Sequence, residues 1–257
     1  MNTGELPFFD EYLSQIGITS QLSGIFAQGS QITGYADPNS DFDFVCVWDS
    51  PIILSDERLT IASRYSDISD FVAFDRPNGK KGDDFILGGK KIGVAHLDRT
   101  ELFYGVFENL LNIRDLNEFV LACYRLGGFH RGKILKDPSG MLAKYLEFSK
   151  LDSDISLRLT KRLLELRSFP SDDLRASVAR KSTLQFFFEL SRVFEQLHVY
   201  TYLSQTQYPI AQKWFEREVE AGQLKADHVF ELASAIRSKI DFDQALKLIE
   251  TFKTGLT

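Results

Sequence analysis

Apolar residues along this chain recur with two periods, and the change falls near residue 98. Before it, short apolar runs alternate with glycine-bearing and polar turns. After it, the spacing is helical and stays so. Phe8, Phe9, Tyr12, Leu13 and Ile16 predict a helix over Glu5 to Ile16, stopped by Gly17. Ile25-Phe26-Ala27 reads as a buried strand. Asp41 to Trp48 reads as a second strand with two carboxylates at its start, ended by Pro51. Ser55 to Ile68 predicts a helix, with Asp56 and Glu57 in its first turn suiting the helix dipole. Phe71 to Phe74 is a short strand, and charged Arg76 to Asp84 a mobile loop. Phe85-Ile86-Leu87 and Ile92 to Leu97 flank Gly88-Gly89-Lys90-Lys91 as a hairpin.

The second half predicts helices over Glu101 to Asn112 and Leu116 to Leu126, with Gly127-Gly128 breaking the chain. Gly132 to Gly140 reads as a short extended piece followed by a turn. Asp137-Pro138 favours a turn, and Ser139 is placed to cap a helix over Met141 to Phe148. Asp154 to Arg167 is amphipathic. Asp172 to Tyr202 reads as one long helix, with the Phe186-Phe187-Phe188 run assigned to its core side. Ala211 to Ala221, Ala226 to Lys239 and Phe242 to Phe252 complete the set, Asp241 capping the last. The fold class that follows is α+β: a small mixed-sheet domain over residues 1–98 and an all-helical domain over 99–257.

Composition narrows the class without naming it. At 257 residues, 44% hydrophobic and 26% charged, the chain can bury a full core. A net charge of −6, with no basic stripe interleaved with aromatics, disfavours a nucleic-acid partner. Cys46 and Cys123 are too few for a disulfide framework. No signal-type apolar segment and no membrane-length run is found. A soluble, cytoplasmic protein is expected.

Candidate chemistry sits in Gly24 to Trp48. Asp41 and Asp43, two apart on a strand, share one face about 6.6–6.8 Å apart along the axis. Carboxylates so spaced can hold Mg²⁺ together with substrate phosphates. Gly29, lacking a Cβ, lets a phosphate approach the backbone, and Ser30 adds a hydroxyl and an N–H. Isolated Asp-x-Asp and Gly-Ser pairs are common. These two adjoin apolar strands, where unpartnered acids would be costly. His130, His198 and His228 are isolated and read as structural or surface residues.

Gly29-Ser30, followed after about ten residues by Ser40-Asp41-Phe42-Asp43-Phe44, resembles the signature of the polymerase-β-type nucleotidyltransferase superfamily. Gly34-Tyr35-Ala36-Asp37 resembles stand-alone bacterial nucleotidyltransferases related to the aminoglycoside and lincosamide adenylyltransferases. The resemblance implies a transferase that moves a nucleoside monophosphate, with ATP the usual donor, to a hydroxyl of a small molecule or protein. It implies Mg²⁺ at Asp41 and Asp43, the phosphates at Gly29 and Ser30, and a monomer or homodimer. A basic residue on a C-terminal helix contacts the triphosphate in such enzymes, which makes Lys213 a candidate. A third acid is usual on a strand like Ile92-Gly93-Val94, and here Gly93 stands in its place. Asp83, Asp84 and Asp98 are the possible substitutes. Without one, the chain would bind nucleotide as a sensor or scaffold and not turn it over.

Overall fold

The two runs flanking Gly29-Ser30 and Asp41 form neighbouring strands of one sheet in the computed structural model, which describes residues 7–17, 21–75, 81–104, 107–167, 171–238 and 242–255. Contacts divide the chain into two compact units. The first comprises Met1–Phe107 with Gly128–Lys150, the second Glu108–Gly127 with Leu151–Thr257. No helix among the described residues is long and apolar enough to cross a membrane.

The first unit is built on a mixed sheet. Its described strands are β1 (Leu22–Gln28), β2 (Phe42–Trp48), β3 (Ile68–Asp75), β4 (Lys81–Leu87), β5 (Lys90–Asp98) and β6 (Lys133–Lys136), in the order β3-β4-β5-β2-β1-β6. β2 runs antiparallel to β1 and parallel to β5. This central position explains the unbroken apolar run Phe44 to Trp48, which is buried on both faces. Helices α1 (Pro7–Ile16), α2 (Ser30–Thr33), α3 (Ser55–Ala62) and α4 (Arg99–Tyr104) belong to the same unit. Phe9, Tyr12, Leu13 and Ile16 join Ile25, Phe44, Cys46, Trp48, Ile92 and Val94 in one core. On the opposite face Phe26 meets Phe129, their ring centroids 4.6 Å apart. Phe129 belongs to the helix that precedes β6.

A charged cluster is enclosed in this core. Arg58 of α3 and Asp83 of β4 are fully buried, with Arg58 Nε 2.9 Å from Asp83 Oδ1. The Tyr12 hydroxyl and His96 Nε2 reach Asp83 Oδ2 at 2.7 and 2.6 Å. Trp48 Nε1 lies 3.2 Å from His96 Nδ1. An indole N–H only donates, so His96 carries its single proton on Nε2 and donates it to Asp83. Burial pushes the Asp83 carboxyl up, but the His96 hydrogen bond and the neighbouring positive charge hold it below the ordinary value. Burial lowers His96 and outweighs the opposing pull of Asp83. The cluster is therefore an ion pair of Arg58 and Asp83 with a neutral histidine. Asp75 extends it, binding Arg58 at 3.0 Å and accepting the Ser55 N–H at the start of α3.

The second unit is helical. It includes α8 (Ser153–Leu166), α9 (Asp172–Ala179), α10 (Thr183–Leu203), α11 (Phe215–Glu220), α12 (Asp227–Ser238) and α13 (Phe242–Gly255). In chain order α5 (Phe107–Asn112) and α6 (Leu116–Arg131) precede β6 and α7 (Met141–Phe148) follows it, and the unit boundary falls within α6. Leu159, Leu163, Leu190, Val193 and Leu197 are buried here. Glu189 is held by Arg167, Arg192 and Ser171.

Several expectations from the sequence are corrected. Lys81 to Asp84 is part of β4, because pairing with β3 and β5 overrides a charged local composition. Residues 76–80, Lys80 among them, lie outside the described residues, as does Asp241. The helix expected to reach Ile68 ends at Ala62, and Ile68 opens β3. Gly127-Gly128 lies inside α6. A Cβ at Gly127 would stand 1.8 Å from the Pro209 carbonyl oxygen, so that glycine admits a close approach. The long helix from Asp172 is two helices, parted near Lys181 at φ 52°. Of the phenylalanine run only Phe186 is core; Phe187 and Phe188 are exposed. Asp137, and not Ser139, caps α7, accepting the Ala143 N–H at 2.9 Å.

Candidate functional site

β1 ends at Gln28, and the chain turns at Gly29 into the four-residue helix α2. Gly29 has φ 80° and ψ −168°, a region reserved in effect for glycine. A Cβ there would also lie 2.2 Å from Asp43 Oδ2. Backbone conformation and space thus independently require glycine. Ser30, the first residue of α2, is buried, and Gly34 closes the helix in the left-handed region. The first N–H groups of any helix lack partners within it and point toward its start.

The connection to β2 is tied at both ends. Asp37 Oδ1 accepts the Asn39 N–H at 2.8 Å, and the Ser40 hydroxyl accepts the Asp37 N–H at 2.9 Å. Gln31 Nε2 donates to the Ser40 carbonyl at 3.1 Å, linking α2 to the residue before Asp41. Asp41 is half-buried just ahead of β2, and Asp43 lies within it.

Register brings the remaining pieces together. Gln28 pairs with Asp43, Asp43 with Gly93, and Gly93 with Asp84, a single row across β1, β2, β5 and β4. Residues opposite one another in paired strands share a face. A Cβ at Gly93 would lie 3.2 Å from Asp43 Oδ1 and 3.5 Å from Asp84 Oδ1. The carboxylate of Asp43 is therefore flanked by two residues without side chains, and Asp84 reaches toward the same point from the far side of Gly93.

The three acids left open by the sequence have distinct fates. Asp84 is exposed beside Gly93. Asp83, one residue earlier, points to the opposite face and is consumed by Arg58, His96 and Tyr12. Asp98 ends β5 and accepts the Thr100 hydroxyl at the start of α4. The hairpin pairing that selects Asp84 has no signal in the sequence beyond the alternation of β4, which the charged composition obscured. Lys213 lies in the helical unit on a single 3₁₀ turn, exposed, its Nζ 4.9 Å from the Trp214 ring centroid.

Among the described residues, no three His, Cys, Asp or Glu side chains form a group that would hold a metal ion by itself. Asp43 and Asp84, which approach one another across Gly93, offer oxygen donors of the kind a hard cation takes when its other ligands are water and substrate phosphates, as Mg²⁺ does.

Neither protein-family models nor curated proteins gave a match to this chain. Among solved structures, a nucleotidyltransferase-like protein from Exiguobacterium sibiricum 255-15 is similar at 13% identity and TM-score 0.45, covering 95% of this chain and 71% of that one. A GLD-2/RNP-8 complex is similar at 10% identity and TM-score 0.31, covering 95% and 91%. A non-canonical poly(A) polymerase complex, GLD-2 with GLD-3, is similar at 11% identity and TM-score 0.29, with the same coverage. Likenesses this loose carry no argument about what the chain does.

Proposed function

We propose that the chain is a nucleotidyltransferase that moves a nucleoside monophosphate, AMP by preference, from an NTP to a hydroxyl of a small molecule or protein. The observation that carries this reading is the seat of Asp43, between a glycine that opens a helix and a glycine that leaves room for Asp84. The sequence resemblance supplies the chemistry that such a seat suits.

Asp41 and Asp43 would hold Mg²⁺, which when bound neutralises charge on the phosphates. Gly29 lets the terminal phosphates approach the backbone, and Ser30 offers them its N–H and hydroxyl. The acceptor hydroxyl attacks the α-phosphorus in line. One P–O bond forms, the bond to the β-phosphate breaks, and pyrophosphate leaves with the electron pair. Asp84 is the residue assigned to take the hydroxyl proton. Positioning and charge stabilisation do most of the work in such transfers.

Gly93 favours a second reading, a nucleotide-binding sensor or scaffold without turnover. One experiment separates the two. The full chain is incubated with α-labelled ATP, GTP, CTP and UTP, Mg²⁺ or Mn²⁺, and aminoglycosides, lincosamides or a cell lysate as acceptors. Transfer of label that Asp43→Asn abolishes supports the transferase. Nucleotide binding without transfer moves the assignment to the sensor. Absence of both removes the nucleotide reading altogether.

A further inference from the structure

One polar side chain on the face of Asp43 is left without a protein partner. Gln28 ends β1 and pairs with Asp43, so it belongs to the row that continues through Gly93 to Asp84. It is half-buried, and among the described residues its side-chain amide takes part in no hydrogen bond. The fully buried side-chain atoms without partners are Ser23 Oγ, Asp137 Oδ1 and His198 Nε2, so the Gln28 amide meets solvent.

The fold makes room for this side chain. Phe26, two residues earlier and on the same side of the strand, meets Phe129 of α6. Gln28 reaches the neighbouring residue of that helix, and both lie in the sheet unit. The atoms that a Cβ at Gly128 would meet belong to Gln28, Oε1 at 2.7 Å and Cδ at 3.7 Å. Glycine inside a helix is less favourable than alanine. At Gly128 the missing methyl is the space that the Gln28 amide occupies.

Sheet order then sets Gln28 against Asp84. β1 adjoins β2 on one side, and β4 lies beyond β5 on the other, so the two side chains flank Asp43 from opposite directions. In the transfer proposed above, Asp84 stands on the acceptor side. An in-line displacement sends the leaving group to the opposite side, where Gln28 runs directly into Gly29 and Ser30.

We propose that Gln28 donates its side-chain N–H to the pyrophosphate that leaves, an inference that rests on the transferase reading. Charge collects on the pyrophosphate as its bond to the α-phosphorus breaks, and a fixed donor stabilises that charge. An amide offers both a donor and an acceptor, and a phosphate oxygen takes the donor. No bond to Gln28 forms or breaks. Being neutral, it adds no carboxylate to compete with the phosphates for Mg²⁺.

Inorganic pyrophosphate with Mg²⁺ is the probe, titrated calorimetrically into the full chain. Wild type binds it and Asp43→Asn does not. Gln28→Met keeps the length of the side chain without the donor, and Gln28→Glu keeps its shape but exchanges donor for charge. Each weakens binding by about tenfold or more, the worth of one hydrogen bond to a charged group. Gly128→Ala pushes the amide aside while favouring the helix, so it weakens pyrophosphate with no fall in the urea midpoint. A side chain that only packs would not show that combination. Should the Gln28 variants fail to fold, Gly128→Ala decides. Unchanged affinity in Gln28→Met or Gly128→Ala, or tighter binding in Gln28→Glu, overturns the assignment of Gln28 and leaves the transferase reading standing. No pyrophosphate binding by wild type removes both.

Discussion

Gly29→Ala tests the geometry of the site without any assay of activity. The added methyl meets two separate penalties. At φ 80° and ψ −168° a residue with a Cβ is strained by about 1–3 kcal/mol. Its Cβ would also stand 2.2 Å from Asp43 Oδ2, so the carboxylate must move. Gly34→Ala separates the two, because Gly34 has φ 82° but nothing within 4 Å of its added Cβ. Gly34→Ala therefore costs about 1–2 kcal/mol, the left-handed penalty alone. Gly29→Ala costs about 3 kcal/mol or more, strain and overlap together. In the double variant with Asp43→Ala the nearest remaining Asp43 atom is its Cβ at 3.4 Å, an ordinary contact. The double variant thus recovers the overlap cost, and the cycle returns a coupling of about 0.5–3 kcal/mol. Trp48 lies in the sheet unit and Trp214 in the helical one. A Trp214→Phe background makes tryptophan emission report sheet unfolding alone in a urea titration. If Gly29→Ala is no less stable than Gly34→Ala, or the coupling is zero, the seat of Asp43 described above is wrong.

Two further outcomes follow from neighbouring residues and from burial. Asp83→Asn removes the fully buried counter-charge of Arg58, leaving only the partly exposed Asp75, and destabilises the sheet unit by about 3 kcal/mol, read as a shift in the urea midpoint. Asp84→Asn, one residue on and exposed, leaves that midpoint in place and lowers label transfer. Equal transfer by Asp84→Asn and wild type removes Asp84 from the site. His198 titrates near 6.5 in the unfolded chain and at about 4 in the folded one, so the unfolded state takes up the proton first as pH falls. Its contribution to stability is full above pH 6.5 and is lost as pH falls to 4, about 3 kcal/mol in all. Wild type minus His198→Phe, by urea unfolding across this range, isolates the loss; a flat difference contradicts the assigned burial.

How legible the site was depended on distance along the chain. Gly29, Ser30, Asp41 and Asp43 sit within one strand-turn-strand stretch, so local spacing was enough to single them out together. The α+β class was legible for the same reason, since the switch from short apolar runs to helical spacing is a local property. The hairpin at Gly88-Gly89 was also readable, both glycines adopting positive φ.

What the sequence could not decide was which partners each strand would take. Asp83 and Asp84 are neighbours of identical chemistry, yet one is locked to Arg58 in the core and the other stands beside Gly93. The side-chain period of a strand is two, so register alone separates them, and register comes from pairing with β5. Gly127-Gly128 gave a local signal to end a helix, and tertiary packing overrode it: α6 continues, and the missing Cβ of Gly127 admits the Pro209 carbonyl. The hydrogen bond between the Tyr124 hydroxyl and His198 Nδ1, 2.8 Å long, joins residues far apart in sequence, so only the folded chain assembles it. Local periodicity determined the elements and the Gly-Ser and Asp-x-Asp pair. Long-range pairing and burial decided which acid faces the site and which is spent in the core.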